Sequence, residues 1–268
     1  MLKTQADAST APQFRLLLLS KPGHRKSSIA AHFPGPGFLD TDQNIYRMKQ
    51  HYPGKKFKFA QPQYGPDGKV LPKEQVWPRA VELVNELVAD PEVKTVVLDS
   101  LSALQEPLID WILAQPAASN RMKPLVISGV QVLTREQYRP FQDKILDIVA
   151  KIHTSGKFTV WIFHEREQRT EAGILELVEP NLTSSLRGNI SRVFTDVWRT
   201  KLKIVPESKT YPNGAAYYIR TAPEREVPYL GTSAPLPNEF EFKFDKPNAA
   251  TLGPEIETAL PFLCSKPS

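Results

Sequence analysis

The sequence predicts an α/β fold, with a mainly parallel sheet flanked by helices and antiparallel strands added towards the C-terminus. Three observations carry this. Apolar runs recur at Phe14–Leu19, at Thr95–Leu98 and in FTVWIF just before His164, and runs of that kind mark strands buried on both faces of a parallel sheet. Amphipathic helical patterns separate the runs, as the crossovers between parallel strands require. Two late segments, ISRVFTDVWRTKLKIV and GAAYYIRTAP, read as strands joined through PESKTYPNG, a connection rich in turn residues.

Each element has its own signal. After the first strand, Lys26–Phe33 reads as a short helix closed by Pro34-Gly35-Pro36-Gly37, and GFLDTDQN as a short strand ending at Asp40 and Asp42. Turn-rich sequence follows, with a short strand expected at Lys56–Ala60. In WPRAVELVNELVADP the apolar residues Ala80, Val81, Val84, Leu87 and Val88 recur at helical spacing until Pro91. Arg135–His153 is a second long helix leading into the strand that is expected to end at His164. TEAGILELVEPNLTSSLRGN reads as a hairpin or a mobile loop. The expected organisation is an arm over 1–13, a domain over 14–221 and a Pro-rich extension over 222–268.

Composition narrows the function classes. Hydrophobic residues make up 41% and charged residues 24% of the 268-residue chain, which is ordinary for a soluble globular protein. No apolar run approaches the roughly 20 residues of a membrane span, and MLKTQADASTAPQ has no apolar core of a secretory signal. The single cysteine, Cys264, excludes an internal disulfide and a cysteine zinc cage. Together these point to a protein of a reducing cytoplasm. Net charge is +5, which permits contact with nucleic acid without requiring it.

In open α/β sheets ligands bind beyond the carboxyl ends of the strands. The residues there are Ser20 to Ser28, Asp40 and Asp42, Asp99-Ser100, and His164. SKPGHRKS aligns with the phosphate loop G-x-x-x-x-G-K-[ST] so that Lys26 and Ser27 take the Lys and Ser/Thr positions. Ser20 and Arg25 stand where glycines are expected, and Gly23 offers a flexible position two residues early. In an intact loop the lysine neutralises phosphate and the hydroxyl binds Mg²⁺. By itself the segment reads equally well as a plain strand-turn-helix with a basic start. VVLDSL places Asp99 where a carboxylate would hold Mg²⁺ or its water. Asp42 is placed to orient or deprotonate a water.

In this order, the loop with Lys26-Ser27, then FLDTD, VVLDSLSAL and VWIFHERE resemble the RecA-like P-loop NTPase core. The resemblance covers roughly residues 14–221 and is nearest to compact phage-type proteins such as single-strand annealing ATPases. It implies an ATP and Mg²⁺ site. Ser20, Gly23, Arg25, Lys26, Ser27, Ser28 and Asp99 would bind the nucleotide, and Ser27 and Asp99 the metal. Asp42 would be the residue that polarises water, and His164 the sensor of nucleotide state. Arg220 would be a candidate basic finger for a neighbouring subunit's nucleotide. A homo-oligomer acting on single-stranded DNA in recombination or replication is the implied setting.

Two other readings stay open. One is a catalytically inactive RecA-like module with a structural role. The other is a nucleotide or nucleoside kinase, which needs an arginine-rich lid. For DNA contact, Lys55, Lys56 and Lys58 alternate with Phe57 and Phe59 behind Tyr52. That pattern offers either a phosphate-tracking, base-stacking strip or an edge strand with its aromatics turned to the core.

Overall fold

The computed structural model describes residues 14–52, 57–117, 123, 125–209, 211 and 213–242. The arm over 1–13, Lys55, Lys56 and Cys264 lie outside them. One nine-stranded sheet organises the described chain. Its strands are β1 (Arg15–Ser20), β2 (Pro36–Asp40), β3 (Lys58–Ala60), β4 (Thr95–Asp99), β7 (Phe158–Arg169), β8 (Leu175–Pro180), β9 (Asp196–Ile204), β10 (Ala215–Arg220) and β11 (Glu239–Glu241). A separate two-stranded hairpin joins β5 (Leu125–Ile127) to β6 (Val130–Val132). The helices are α1 (Lys26–Ala30), α2 (Ile45–His51), α3 (Lys73–Ala89), α4 (Leu101–Ala114), α5 (Tyr138–His153) and α6 (Ser184–Ile190).

Across the main sheet the order is β11-β10-β9-β1-β7-β4-β2-β3, with β8 paired to β7. The stretch from β9 to β3 is parallel throughout, and β10 and β11 extend it antiparallel. This is the expected mixed sheet.

The leucine run of β1 shows why those residues form a central strand. Leu17 and Leu19 belong to the core under α3, α4 and α5, while Leu16 and Leu18 belong to the core under α1 and α2. Alternate side chains point to opposite faces, so only a run that is apolar at every position satisfies both layers. Burying each such leucine stabilises the fold by about 2 kcal/mol.

Several boundaries differ from the expectation. Pro36 and Gly37 belong to β2 rather than closing the preceding helix. α3 starts at Lys73 and buries Val76 and Trp77 ahead of the recognised stripe. The strand expected to end at His164 runs on to Arg169, and its outer half pairs antiparallel with β8 as a hairpin. Among the described residues, α4, α6, the β5–β6 hairpin and β11 had no strong local signal, and the β5–β6 hairpin leaves Leu125, Val126, Ile127 and Val130 exposed. No helix among the described residues is long and apolar enough to cross a membrane.

Candidate functional site

The site lies at the carboxyl ends of β1, β2, β4 and β7. β1 delivers Ser20, the turn Lys21–Arg25 follows, and α1 begins at Lys26. Gly23 has φ +81° with open space where a side chain would be. Arg25 has φ +65° and precedes the helix. The turn therefore does have left-handed geometry before the lysine, although arginine supplies it in place of glycine. For a side-chain-bearing residue this conformation costs about 1 kcal/mol.

The side chain of Lys26 is folded over the turn. Its Nζ donates to the carbonyls of Ser20 at 2.8 Å and Lys21 at 2.9 Å. Burial lowers its pKa to about 8, against the opposing pull of Asp99, Glu165 and Asp42. Ser27 Oγ donates a short hydrogen bond to Asp99 Oδ2. Asp99 is 3% exposed, and burial pushes its carboxyl up to about 7. The Ser27 hydrogen bond opposes that rise, and the neighbouring Asp42 and Asp40 reinforce it.

The second carboxylate is held from two sides. Asp42 Oδ1 accepts from Ser100 Oγ at 3.2 Å, and Asp42 Oδ2 lies 2.8 Å from His164 Nε2. A carboxylate there accepts, which assigns a proton to Nε2. His164 Nδ1 is buried without a hydrogen-bond partner among the described residues. The backbone around the pair is locked as well. Thr41 Oγ1 donates to the Ser100 carbonyl at 2.8 Å and accepts from the Ser100 N–H at 2.7 Å. Ser100 Oγ also caps α4 by accepting from Ala103 N–H, a helix-end role typical of serine. The Asp99–Ser100 peptide is cis.

These groups share one cavity of about 370 Å³. It is lined by Gly23, Lys26, Ser27 and Ser28 from the turn and α1, by Asp42, Asp99 and His164, and by residues the sequence did not single out. Among the latter, His24 Nδ1 donates to the carbonyl of Thr200 at 3.4 Å, and burial lowers its pKa. Arg47 comes from α2, five residues after Asp42. Tyr217 comes from β10, far along the chain, and had no local signal.

Other candidates are placed elsewhere. Ser20 contributes its carbonyl to Lys26, while its hydroxyl donates to Lys21 O. Ser28 stays in the cavity lining and accepts from His32 through its carbonyl. Asp40 caps α2 by accepting from Asn44 and Ile45 N–H and from Gln61, and burial raises its pKa. Arg220 does not join the cavity. Its guanidinium donates to Ala222 O and Pro223 O and lies 3.5 Å from Glu224.

The described part of the lysine-aromatic strip includes the edge strand β3. Phe57 packs edge-on against Phe38 and Tyr52, Phe59 meets Tyr46, and Lys58 pairs with Asp90 and Glu92.

A turn with a buried lysine, a hydroxyl on a strand-end aspartate and a second carboxylate thus face one cavity at the strand ends. Residues 13–228 match the family described as AAA domain, and the chain belongs to that family. Members of this class of P-loop ATPases generally bind nucleotide with Mg²⁺. Among solved structures, the crystal structure of a KaiC-like protein from the hyperthermophilic archaeon Pyrococcus horikoshii is similar. It shares 14% identity over 88% of this chain and 88% of that chain, with a TM-score of 0.44. No curated protein sequence matches the chain.

Proposed function

We propose that this protein binds Mg²⁺-ATP in the cavity between the Gly23–Ser28 segment, Asp42 and Asp99, and hydrolyses it. The observation that carries the proposal is the Ser27–Asp99 hydrogen bond beside buried Lys26, with the Asp42–His164 pair on the same cavity. The donor set fits the ligand. Ser27 and Asp99 offer the hard oxygens Mg²⁺ prefers. Lys26 has three protons and uses two on loop carbonyls, which leaves one for phosphate. Bound Mg²⁺-ATP supplies the phosphoanhydride and the neutralising metal charge.

The chain's residues supply the rest. Asp42 accepts a proton from the attacking water, and Ser100 and His164 fix its carboxylate for that transfer. Asp99 keeps the Ser27 hydroxyl oriented, and these two residues would hold Mg²⁺.

The wider role we propose is phage-type action on single-stranded DNA in recombination or replication, by a homo-oligomer. Net charge of +5 supports it. So does the β7–β8 hairpin, which leaves the sheet directly after His164 and carries exposed Arg166. Two other arginines of this region are engaged internally, Arg169 with Glu167 and Arg187 with Glu179. Arg25 in a glycine position favours a second reading, binding without turnover.

Calorimetry with ATP, with and without Mg²⁺, tests the site, and phosphate release with and without single-stranded DNA tests the role. Mg²⁺-dependent binding that Lys26→Ala abolishes is expected, together with DNA-stimulated release. Binding unchanged in Lys26→Ala would remove the site assignment, and binding without any release would select the inactive module.

A further inference from the structure

A second cavity, of about 550 Å³, lies beside α2 and β3 and shares no lining residue with the one that holds Lys26 and Asp42. Its walls are aromatic. Tyr46 from α2, Phe59 from β3 and Tyr64 from the segment after β3 line it together. Tyr46 is 57% exposed, too open to serve the core, and its ring centroid lies 6.2 Å from that of Phe59. The ammonium of Lys49, one helical turn along α2, sits over both rings. It is 4.4 Å from the centroid of Phe59 and 5.6 Å from that of Tyr46.

We infer that this cavity is a stacking site for a base of single-stranded DNA, with Lys49 as the cation for the adjoining phosphate. The inference rests on the single-strand role proposed above and gives the strand a place distinct from the ATP cavity. Three physical points lead to it. An aromatic ring offers its π-face to any base, so a cavity walled by three rings suits a strand read without regard to sequence. The exposed ammonium of Lys49 carries three protons, and none is committed to a carboxylate or a carbonyl among the described residues. Arg47, on the same helix, is exposed too, so two cations flank the rings.

The acidic residue among the described lining does not oppose an anion at full strength. Glu86 lies 3.5 Å from the guanidinium of Arg79, which lines the cavity beside it. What remains is a base-sized aromatic recess with net positive charge at its edge, the combination that holds a base and its phosphate together.

The test measures binding of a short fluorescent oligothymidylate, and of an abasic strand of equal length, by anisotropy at several salt concentrations. Wild type is compared with Tyr46→Ala, Tyr46→Phe and Lys49→Gln. Tyr46→Ala is expected to weaken oligothymidylate by roughly tenfold, the size of one lost stacking contact. It should leave the abasic strand unchanged, because that strand keeps its phosphates and has no base to stack. Tyr46→Phe keeps the ring and should bind as the wild type does. Lys49→Gln should weaken both strands and lower the slope of log affinity against log salt by about 0.7, the share of one phosphate contact on a single strand.

Wild-type binding of oligothymidylate in Tyr46→Ala, or an equal loss on both strands, would overturn the inference while the single-strand role stands. An unchanged salt slope in Lys49→Gln would remove Lys49 as the phosphate cation. Thymidine monophosphate binding as tightly as the strand, with the same loss in Tyr46→Ala, would make this a free-nucleotide site and overturn the assignment to DNA. If the wild type binds no oligothymidylate, the single-strand role itself fails and takes this inference with it. Tyr46 is exposed, so Tyr46→Ala should melt close to the wild type; Lys49→Gln carries the test independently.

Discussion

Replacing Asp99 with Asn should stabilise the protein and disable it, and the gain should depend on pH in a defined direction. Asp99 titrates near 3.8 in an unfolded chain and near 7 in the folded one, mainly because burial disfavours its charge. Between those values the folded protein holds a proton that the unfolded chain has released. Stability therefore falls as pH rises through this interval, by about 1.4 kcal/mol per pH unit. The contribution is intact below 3.8 and fully lost above about 7. Asn has the same shape, cannot ionise and still accepts from Ser27. Its advantage over the wild type should grow from under about 2 kcal/mol at pH 5 to about 4 kcal/mol at pH 8.

That upper figure is a ceiling, because the anion of Asp99 also supports the charge of Lys26, and Asn withdraws that support. At about 2–4 °C per kcal/mol for a domain of this size, the melting temperature at pH 8 should rise by about 10 °C. Thermal melts of both proteins from pH 5 to pH 8 read the effect, and calorimetry with Mg²⁺-ATP reads the accompanying loss of binding. A variant less stable than the wild type at pH 8, or a gain that does not change with pH, would refute the assignment of Asp99 as a buried carboxylate held at a functional cost.

Further outcomes follow from the same geometry. Lys26 loses its proton as pH rises through about 8, so ATP affinity of the wild type should decline above pH 8, and the decline should vanish in Lys26→Arg; titration calorimetry from pH 7 to pH 9 checks both. Ser27→Ala should lower stability by only about 1 kcal/mol for its lost hydrogen bond, yet make residual ATP binding insensitive to Mg²⁺. Asp42→Asn should leave Mg²⁺-ATP affinity within a few-fold of wild type and reduce phosphate release by about 10² or more, the usual contribution of a general base. Ser100→Ala removes both the α4 cap and a hydrogen bond to Asp42, so it should lower stability by about 1 kcal/mol and also reduce turnover, measured by melts and phosphate release.

The sequence by itself determined the parallel core and the polar residues at its strand ends. Runs such as Leu16–Leu19 must be buried on both faces, and a strand so buried can only deliver its next residues to the edge where ligands bind. That logic placed Lys26, Ser27, Asp42, Asp99 and His164 together, and they do share one cavity. It also gave two readings of Phe57 and Phe59, and the packing of both against the core that holds Phe38 chose the inward one.

Only the tertiary structure decided the rest. Ser100 acts as both a cap and a partner of Asp42 because the β2 and β4 loops meet, a contact between residues 58 positions apart. Tyr217 reaches Arg25 because β9 and β10 fold back beside β1. The same folding places Arg220 on Ala222, Pro223 and Glu224, away from the cavity. Periodicity reports which face of an element is apolar, whereas the partner that an exposed polar group meets depends on which distant strands become neighbours. The left-handed turn at Arg25 stands between the two: its backbone conformation is local, and its aromatic neighbour Tyr217 comes from across the sheet.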